Sequence, residues 1–421
     1  MAIFFDRWSI LALYVSTGPI LVLAQGLAGV GSAFTAAFVC GTTLALLLLG
    51  RWREFEPNPA DILFCLFVGG VAVSTVIHGI DGDRREAVLL LLSLAAYPAG
   101  RLFRSGKETP PRFMIIIAAI VLVGTVASIN ALVDQWQHPF GKPHPLMFGR
   151  FGAAPAQFTL SLGFLMIAVG CTRRMTAPML AAAFLLAIPV AMFAASFVRF
   201  TFVAIGFALA GATVFGARSE RWPPLTMLCV LVVGLVLGTV ARLEIAPRMS
   251  PVASSATSAT AIEVRFDDAE SVAAGSGSER SCPPIDIHNS IAIRKQLYSE
   301  AFALLPSAGF FGIGMNRFMP LSCVPDVEIH NTILQAFIEF GWVAGVALAL
   351  LALFAVIAPL SLVRHVLEAR LAACGLLFTG LLTIAHGRIS RDALLFFFIG
   401  YAASFSRRAL HLGRSRLSTP S

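Results

Sequence analysis

Charged residues are scarce in this sequence. Asp, Glu, Lys and Arg make up 13% of its 421 residues, whereas hydrophobic residues make up 57%. A soluble domain has roughly 25% charged residues. The composition therefore argues against an ordinary soluble enzyme and indicates an integral membrane protein, with membrane lipids as its main surroundings.

The sequence also lacks the common motifs of nucleotide and metal chemistry. It contains no Walker loop, no His-Glu-x-x-His and no zinc-type cysteine spacing. Asp81-Gly82-Asp83 is an Asp-x-Asp pattern, but Asp-Gly is an ordinary turn and we favour the turn. The formal charge of +8 is not accompanied by interleaved basic and aromatic residues. We predict no metal, no cofactor and no nucleic-acid partner.

What the chain does have is long apolar runs. They lie near 9–28, 30–49, 60–78, 86–103, 112–134, 152–171, 176–195, 199–216, 223–242, 331–358, 369–386 and 392–405. Most approach the roughly 20 residues that a spanning helix needs. The sequence thus predicts an all-α, polytopic integral membrane protein with about 12 transmembrane helices.

Lys and Arg are concentrated in alternate loops between these runs. By the positive-inside rule, this bias places both termini in the cytoplasm. Residues 1–242 then hold helices 1–9, and 331–421 hold helices 10–12 and a cytoplasmic tail. The segment between them, 243–330, is predicted to be one large, partly helical loop on the outer side.

The predicted loop has two halves of different composition. Residues 250–281 are rich in Ser, Ala and Gly and bury little. Apolar residues then recur every four positions from Ile293 to Leu305, which predicts a helix over 290–305. A glycine-rich turn is predicted to follow over 306–318.

Two of the seven cysteines, Cys282 and Cys323, fall in this loop. In an oxidising compartment they would pair as a disulfide. Two free thiols are the alternative, and the sequence leaves both open.

Several cationic groups lie on the predicted outer side, beside apolar runs. They are Arg150, Arg199, Arg294 and His330. A single arginine at a helix end usually extends its charge to the interface or pairs with a distant carboxylate. Several on one face favour an anionic ligand instead, because guanidinium groups bind phosphate in a bidentate fork.

A polar stripe begins at His330. Asn331, Gln335 and Glu339 are spaced by four in an otherwise apolar run and so share one helical face. Hydrogen bonding between helices explains Asn331 and Gln335 at least as well as a functional role does. His330 precedes the helix, where an imidazole suits a general base near neutral pH; a capping or surface histidine is the alternative.

Four segments in this order resemble the O-antigen ligase family of bacterial inner-membrane proteins, which is related to the O-antigen polymerases. They are Gly149–Ala156 (GRFGAAPA), Ala195–Arg199 (ASFVR), Arg294–Phe318 with its Gly-Ile-Gly, and His330–Gly341 (HNTILQAFIEFG). The long outer loop before the tenth helix also fits this family.

The resemblance implies a glycosyltransferase of the cell envelope. Such an enzyme moves O-antigen polysaccharide from undecaprenyl diphosphate to the lipid A–core oligosaccharide, completing lipopolysaccharide. The reaction takes place at the periplasmic face of the inner membrane, without metal or nucleotide, and inverts the anomeric centre.

The same resemblance suggests roles for individual residues. His330 would activate the acceptor hydroxyl, and Arg199, Arg294 and Arg150 would bind the donor diphosphate, whose leaving charge needs fixed cations. A further set carries weaker expectations: Arg265 and Arg388 as additional cations, Asn331 beside the base, and Glu339 as a group that orients a partner or bonds within the protein.

Two other functions compete with this one. An O-antigen polymerase uses the same donor but extends a lipid-linked glycan. A secondary transporter or lipid flippase, a different class, would explain many helices and buried polar groups without chemistry. The absence of an internal repeat and the large one-sided loop favour a site at the periplasmic face.

Overall fold

The computed structural model contains helices joined by turns and loops, and no β-strand, in the parts of the chain that it describes. These are residues 6–80, 84–103, 111–137, 145–149, 151–152, 154–196, 198, 200–255, 282, 290–324 and 327–406, with the backbone alone at 32, 243–255 and 290.

Sixteen α-helices lie within these ranges. They are α1 Arg7–Val15, α2 Thr17–Ala28, α3 Ser32–Leu48, α4 Pro59–His78, α5 Arg84–Phe103, α6 Pro111–Gln137, α7 Ala154–Gly170, α8 Ala177–Leu185, α9 Ala187–Ala195, α10 Phe200–Phe215, α11 Trp222–Ser255, α12 Ser290–Leu304, α13 Thr332–Glu339, α14 Gly341–Ile357, α15 Leu367–His386 and α16 Ala393–Ala403.

Many of these helices have the length and composition of membrane spans. Six candidates meet both criteria in the described part of the chain, namely α4, α5, α6, α8 with α9, the Arg218–Arg242 portion that contains most of α11, and α15. The pair α1 and α2, bent by 66°, would be a seventh. Large apolar side chains such as Val76 and Trp222 are exposed on the outer helices. The chain is therefore an all-helical protein of multi-pass membrane character.

The helices divide into an inner and an outer set. In the most apolar part of α5 and of α15, 61% of residues are buried, against 28% for α4. The inner helices α5 and α16 pack closely through glycines: a Cβ on Gly100 would lie 2.0 Å from the Phe397 carbonyl oxygen, and one on Gly400 would lie 2.2 Å from that of Tyr97. Small residues of this kind let membrane helices approach each other.

The predicted helix over 331–358 is wrong as a single element. It is divided between α13 and α14, and the division falls at Gly341, whose φ is +86°. A right-handed helix cannot continue through a positive φ. The Asn331, Gln335 and Glu339 stripe therefore belongs to a short separate helix, not to a long spanning one.

Helix α11 extends past residue 242, where the ninth span was predicted to end. Its backbone continues as a helix to Ser255, so the predicted loop begins with helical residues. Loss of hydrophobicity marks where a span ends, whereas the backbone continues in a helix as long as the local sequence permits.

Candidate functional site

Three side chains from separate segments converge in one cluster. Arg294 comes from α12, His330 precedes α13, and His386 is the last residue of α15. The Arg294 Nη2 atom lies 3.5 Å from His386 Nδ1. The two imidazole ring centroids are 6.3 Å apart. We refer to Arg294, His330 and His386 as the cationic cluster.

Helix α12 places Arg294 in this cluster. The predicted amphipathic helix is confirmed as Ser290–Leu304, with Leu297 and Ala301 almost completely buried. Tyr298, one turn beyond Arg294 on the same face, donates a hydrogen bond of 2.6 Å to the Ile384 carbonyl oxygen and one of 3.4 Å to that of His330. One tyrosine thereby ties α12 to both segments that carry imidazoles.

His330 is held at the entrance to α13 by its neighbour. The Asn331 side chain caps α13 by accepting a 3.0 Å hydrogen bond from the Leu334 N–H. Burial lowers the pKa of the His330 imidazole below its usual range, and the charge of Arg294 lowers that pKa further. The imidazole is therefore neutral at pH 7, which is the form that accepts a proton.

Gln335 and Glu339 make structural hydrogen bonds. The Gln335 amide nitrogen donates to Glu339 Oε2 at 3.0 Å, and its amide oxygen accepts from the Ile389 N–H at 2.9 Å. Both side chains are buried. The stripe thus joins α13 to the connection between α15 and α16, which agrees with the interpretation of Glu339 as a group that bonds within the protein.

The glycine-rich turn after α12 forms backbone hydrogen bonds with the residues at the break between α13 and α14. Carbonyl groups at the end of α13 lack partners within the helix. The Ile338 carbonyl oxygen accepts from the Ile313 N–H at 2.9 Å, and that of Glu339 accepts from the Gly314 N–H at 2.9 Å.

Carbonyl oxygens of the same turn accept hydrogen bonds from the first N–H groups of α14. The Trp342 N–H donates to the Gly309 carbonyl oxygen at 3.0 Å, and the Val343 N–H donates to that of Phe310 at 3.3 Å. Irregular backbone at membrane depth is tolerated where protein satisfies it in this way.

Arg388 is paired with carboxylates. Its guanidinium forms an ion pair with Glu328, and a second with Glu86 at 3.4 Å. Arg391 pairs with the same Glu86 at 2.6 Å. Burial raises the pKa of the Glu328 carboxyl, although the Arg388 charge opposes this. These pairs favour a structural role for Arg388, two residues after His386, over the predicted role as a free cation for a ligand.

Three of the predicted cations, Arg150, Arg199 and Arg265, lie outside the described residues. The chain beside two of them is described. Met147 and Phe151 pair through backbone hydrogen bonds of 3.0 and 3.3 Å. The ring of Phe200, which follows Arg199, lies 5.9 Å from that of His386.

A disulfide closes the loop that carries α12. Cys282 and Cys323 are bonded, with their Cα atoms 5.6 Å apart. The Cys323 N–H also donates to the Glu300 carboxylate of α12 at 3.2 Å, and the Ser322 hydroxyl donates to it at 2.6 Å. The C-terminal half of α12 is therefore bonded to the segment that leads to His330, and the disulfide joins Cys282, which precedes α12 in sequence, to the same segment.

His386 is the member of the cluster that sequence reasoning missed. Its sequence position contained a usable indication, because it ends an apolar run and is followed by Gly387-Arg388 on the predicted outer side. Its proximity to His330 depends on how α15 packs, which no motif encodes.

The cluster suits an anion. Arg294 forms no ion pair with a carboxylate among the residues that the structure describes. A guanidinium with two adjacent imidazoles offers hydrogen-bond donors to phosphate and one neutral base. In the same part of the chain, no group of three or more His, Cys, Asp or Glu side chains is arranged to hold a metal ion. Comparison with known proteins gives no match to a family model, a curated protein or a solved structure.

Proposed function

We propose that this protein is an O-antigen ligase, which transfers O-antigen polysaccharide from undecaprenyl diphosphate to the lipid A–core oligosaccharide. The observation that carries the proposal is the convergence of Arg294 and His330 on His386, with the Arg294 charge close enough to lower the pKa of the His330 imidazole. These two residues are the ones to which the family resemblance assigns the diphosphate and the acceptor.

The chemistry is a single displacement. The acceptor hydroxyl oxygen attacks the anomeric carbon while its proton passes to the His330 imidazole. The bond between the anomeric carbon and the phosphate oxygen breaks, and the electron pair leaves with undecaprenyl diphosphate. Arg294 is placed to stabilise that added charge, with Arg199 and Arg150 as further predicted ligands. Attack from the side opposite the leaving group inverts the anomeric centre.

The proposed topology has twelve crossings, with both termini in the cytoplasm of a bacterial inner membrane. The seven candidate spans and five shorter apolar helices, α3, α7, α10, α14 and α16, supply that number. The loop between α11 and α13 would then face the periplasm. The Cys282–Cys323 disulfide supports this side, since disulfides persist in oxidising compartments.

The test is transfer by the purified protein. We expect it to move glycan from undecaprenyl-diphosphate-linked O-antigen onto rough lipopolysaccharide in EDTA, as seen by a mobility shift on a gel. His330→Ala should lower the rate by roughly 10²–10⁴-fold, the usual contribution of a general base. The matched control is His365→Ala, which removes an exposed imidazole in the turn before α15.

Other outcomes on the same gel separate the alternatives. Lengthened donor chains with no glycan on the lipid A–core would identify a polymerase. An untouched donor in all conditions would contradict both enzymes and favour transport. Full activity of His330→Ala would remove the base from the mechanism while leaving the ligase activity standing.

A further inference from the structure

We propose that His386 binds the donor diphosphate as a neutral hydrogen-bond donor, using its Nε2–H. This inference rests on the proposed function, and it adds a residue that the motifs do not contain. It gives the two imidazoles of the cationic cluster different tasks.

The contact with Arg294 fixes the tautomer of His386. A guanidinium has N–H donors and no acceptor. The atom of His386 that faces Arg294 Nη2, at 3.5 Å, is Nδ1. Nδ1 must therefore present its lone pair to the guanidinium. The proton of the neutral imidazole is then on Nε2, on another edge of the ring.

This tautomer makes His386 a donor and a poor base. Protonation at Nδ1 would direct an N–H at the Arg294 guanidinium, placing two positive groups in contact. The Nε2–H remains available to donate to a phosphate oxygen. His386 is also exposed, so a ligand can reach it.

His330 differs in this respect. Its ring makes no hydrogen bond within the described part of the chain, although its carbonyl oxygen accepts from Tyr298. One ring nitrogen can therefore take the proton of the acceptor hydroxyl. The ring centroids are 6.3 Å apart, and we assign the phosphate to His386 and the acceptor hydroxyl to His330.

Two amide substitutions test the atom as well as the residue. The glutamine amide nitrogen reaches about as far as imidazole Nε2, whereas the asparagine amide reaches only as far as Nδ1. His386→Gln therefore retains a donor at the proposed position, and His386→Asn and His386→Ala do not. The probe is farnesyl diphosphate, a soluble prenyl diphosphate, titrated calorimetrically into the purified full-length protein in detergent.

We expect His386→Gln to bind the probe within about threefold of the natural protein. His386→Asn and His386→Ala should bind it roughly tenfold more weakly, as expected for loss of a hydrogen bond to a charged group. His330→Gln should keep its affinity for the probe and lose transfer. Equal binding by the Gln and Asn variants, or undiminished binding by His386→Ala, would overturn the assignment. A misfolded Ala variant would leave the Gln–Asn pair to decide.

The same titration separates this inference from the proposed function. If the natural protein transfers glycan and every His386 variant binds the probe equally well, only the role of His386 is wrong. If the natural protein does not bind the probe at all, the donor site is wrong and the role of His386 falls with it.

Discussion

Within the cationic cluster, Arg294 affects the two imidazoles in different ways. Arg294 contacts His386 through Nδ1, which orients that ring, but it influences His330 through space. At His330 burial and positive charge act in the same direction, because each disfavours the imidazolium form. Among the described residues, burial and the Arg294 charge are the influences on the His330 pKa, and both favour the neutral imidazole.

This environment predicts the acid limb of the pH profile. In the proposed mechanism transfer requires neutral His330, so we expect activity above the pKa of His330 and its loss as the pH falls through that pKa. Because that pKa lies below its usual value of 6.5, we expect half of the maximal rate to be reached below pH 6.5. The ionisable side chains against His330 are Arg294 and His386, and initial transfer rates between pH 4.5 and 8 would locate the midpoint.

Arg294→Gln should move that midpoint upward, because it removes a charge that opposes protonation. The shift is partial, since burial is the larger cause. The control is Lys295→Gln, which removes an exposed charge from the same helix. A midpoint that stays fixed in Arg294→Gln while the overall rate falls would show that Arg294 binds the ligand without tuning the base.

At the scale of elements, the break between α13 and α14 connects α13, which follows His330, to the turn after α12, the helix that carries Arg294. Its backbone groups are shared with the glycine-rich turn that follows α12, so the turn and the break position each other. A Cβ on Gly341 would lie 2.3 Å from the Gly312 backbone nitrogen and 2.4 Å from the Phe310 carbonyl oxygen. Only glycine fits there, on grounds of both space and φ.

Gly341→Ala should therefore destabilise the protein by about 1–3 kcal/mol, which lowers the melting temperature by roughly 1–3 °C. The control is Gly380→Ala in α15, where a Cβ would meet nothing within 4 Å. The melting temperatures of the two variants would be compared by heating each in detergent and measuring the remaining folded protein by size-exclusion chromatography. Equal melting temperatures for the two variants would contradict the packing argument.

The elements also show where sequence reasoning ends. The period of four from Ile293 to Leu305 was enough to predict α12, because an amphipathic helix records its buried face in the sequence. The break at Gly341 was missed because hydrophobicity continues across it, and hydropathy does not report φ. His386 was missed for a related reason: packing between distant helices brings it to His330.

For the whole molecule, the charge bias and the apolar helices make a joint prediction about topology. Alkaline phosphatase inserted after residue 272 should be active, and a fluorescent protein fused after residue 421 should fluoresce. Each reporter works only on the side proposed for it. The opposite result at residue 272 would be an inactive phosphatase insertion together with a fluorescent protein that fluoresces when inserted at the same site. That result would reverse the proposed orientation and place the cationic cluster on the cytoplasmic side.

The disulfide and the cluster are completed at different times during synthesis. Both cysteines leave the ribosome before α13, whereas His386 ends α15. The Cys282–Cys323 bond can thus form while the chain is still being translated, but the second imidazole arrives only when α15 inserts. We expect a nascent chain released after α14 to contain the Cys282–Cys323 disulfide and His330, the proposed base. It would lack His386, whose ring contacts Arg294.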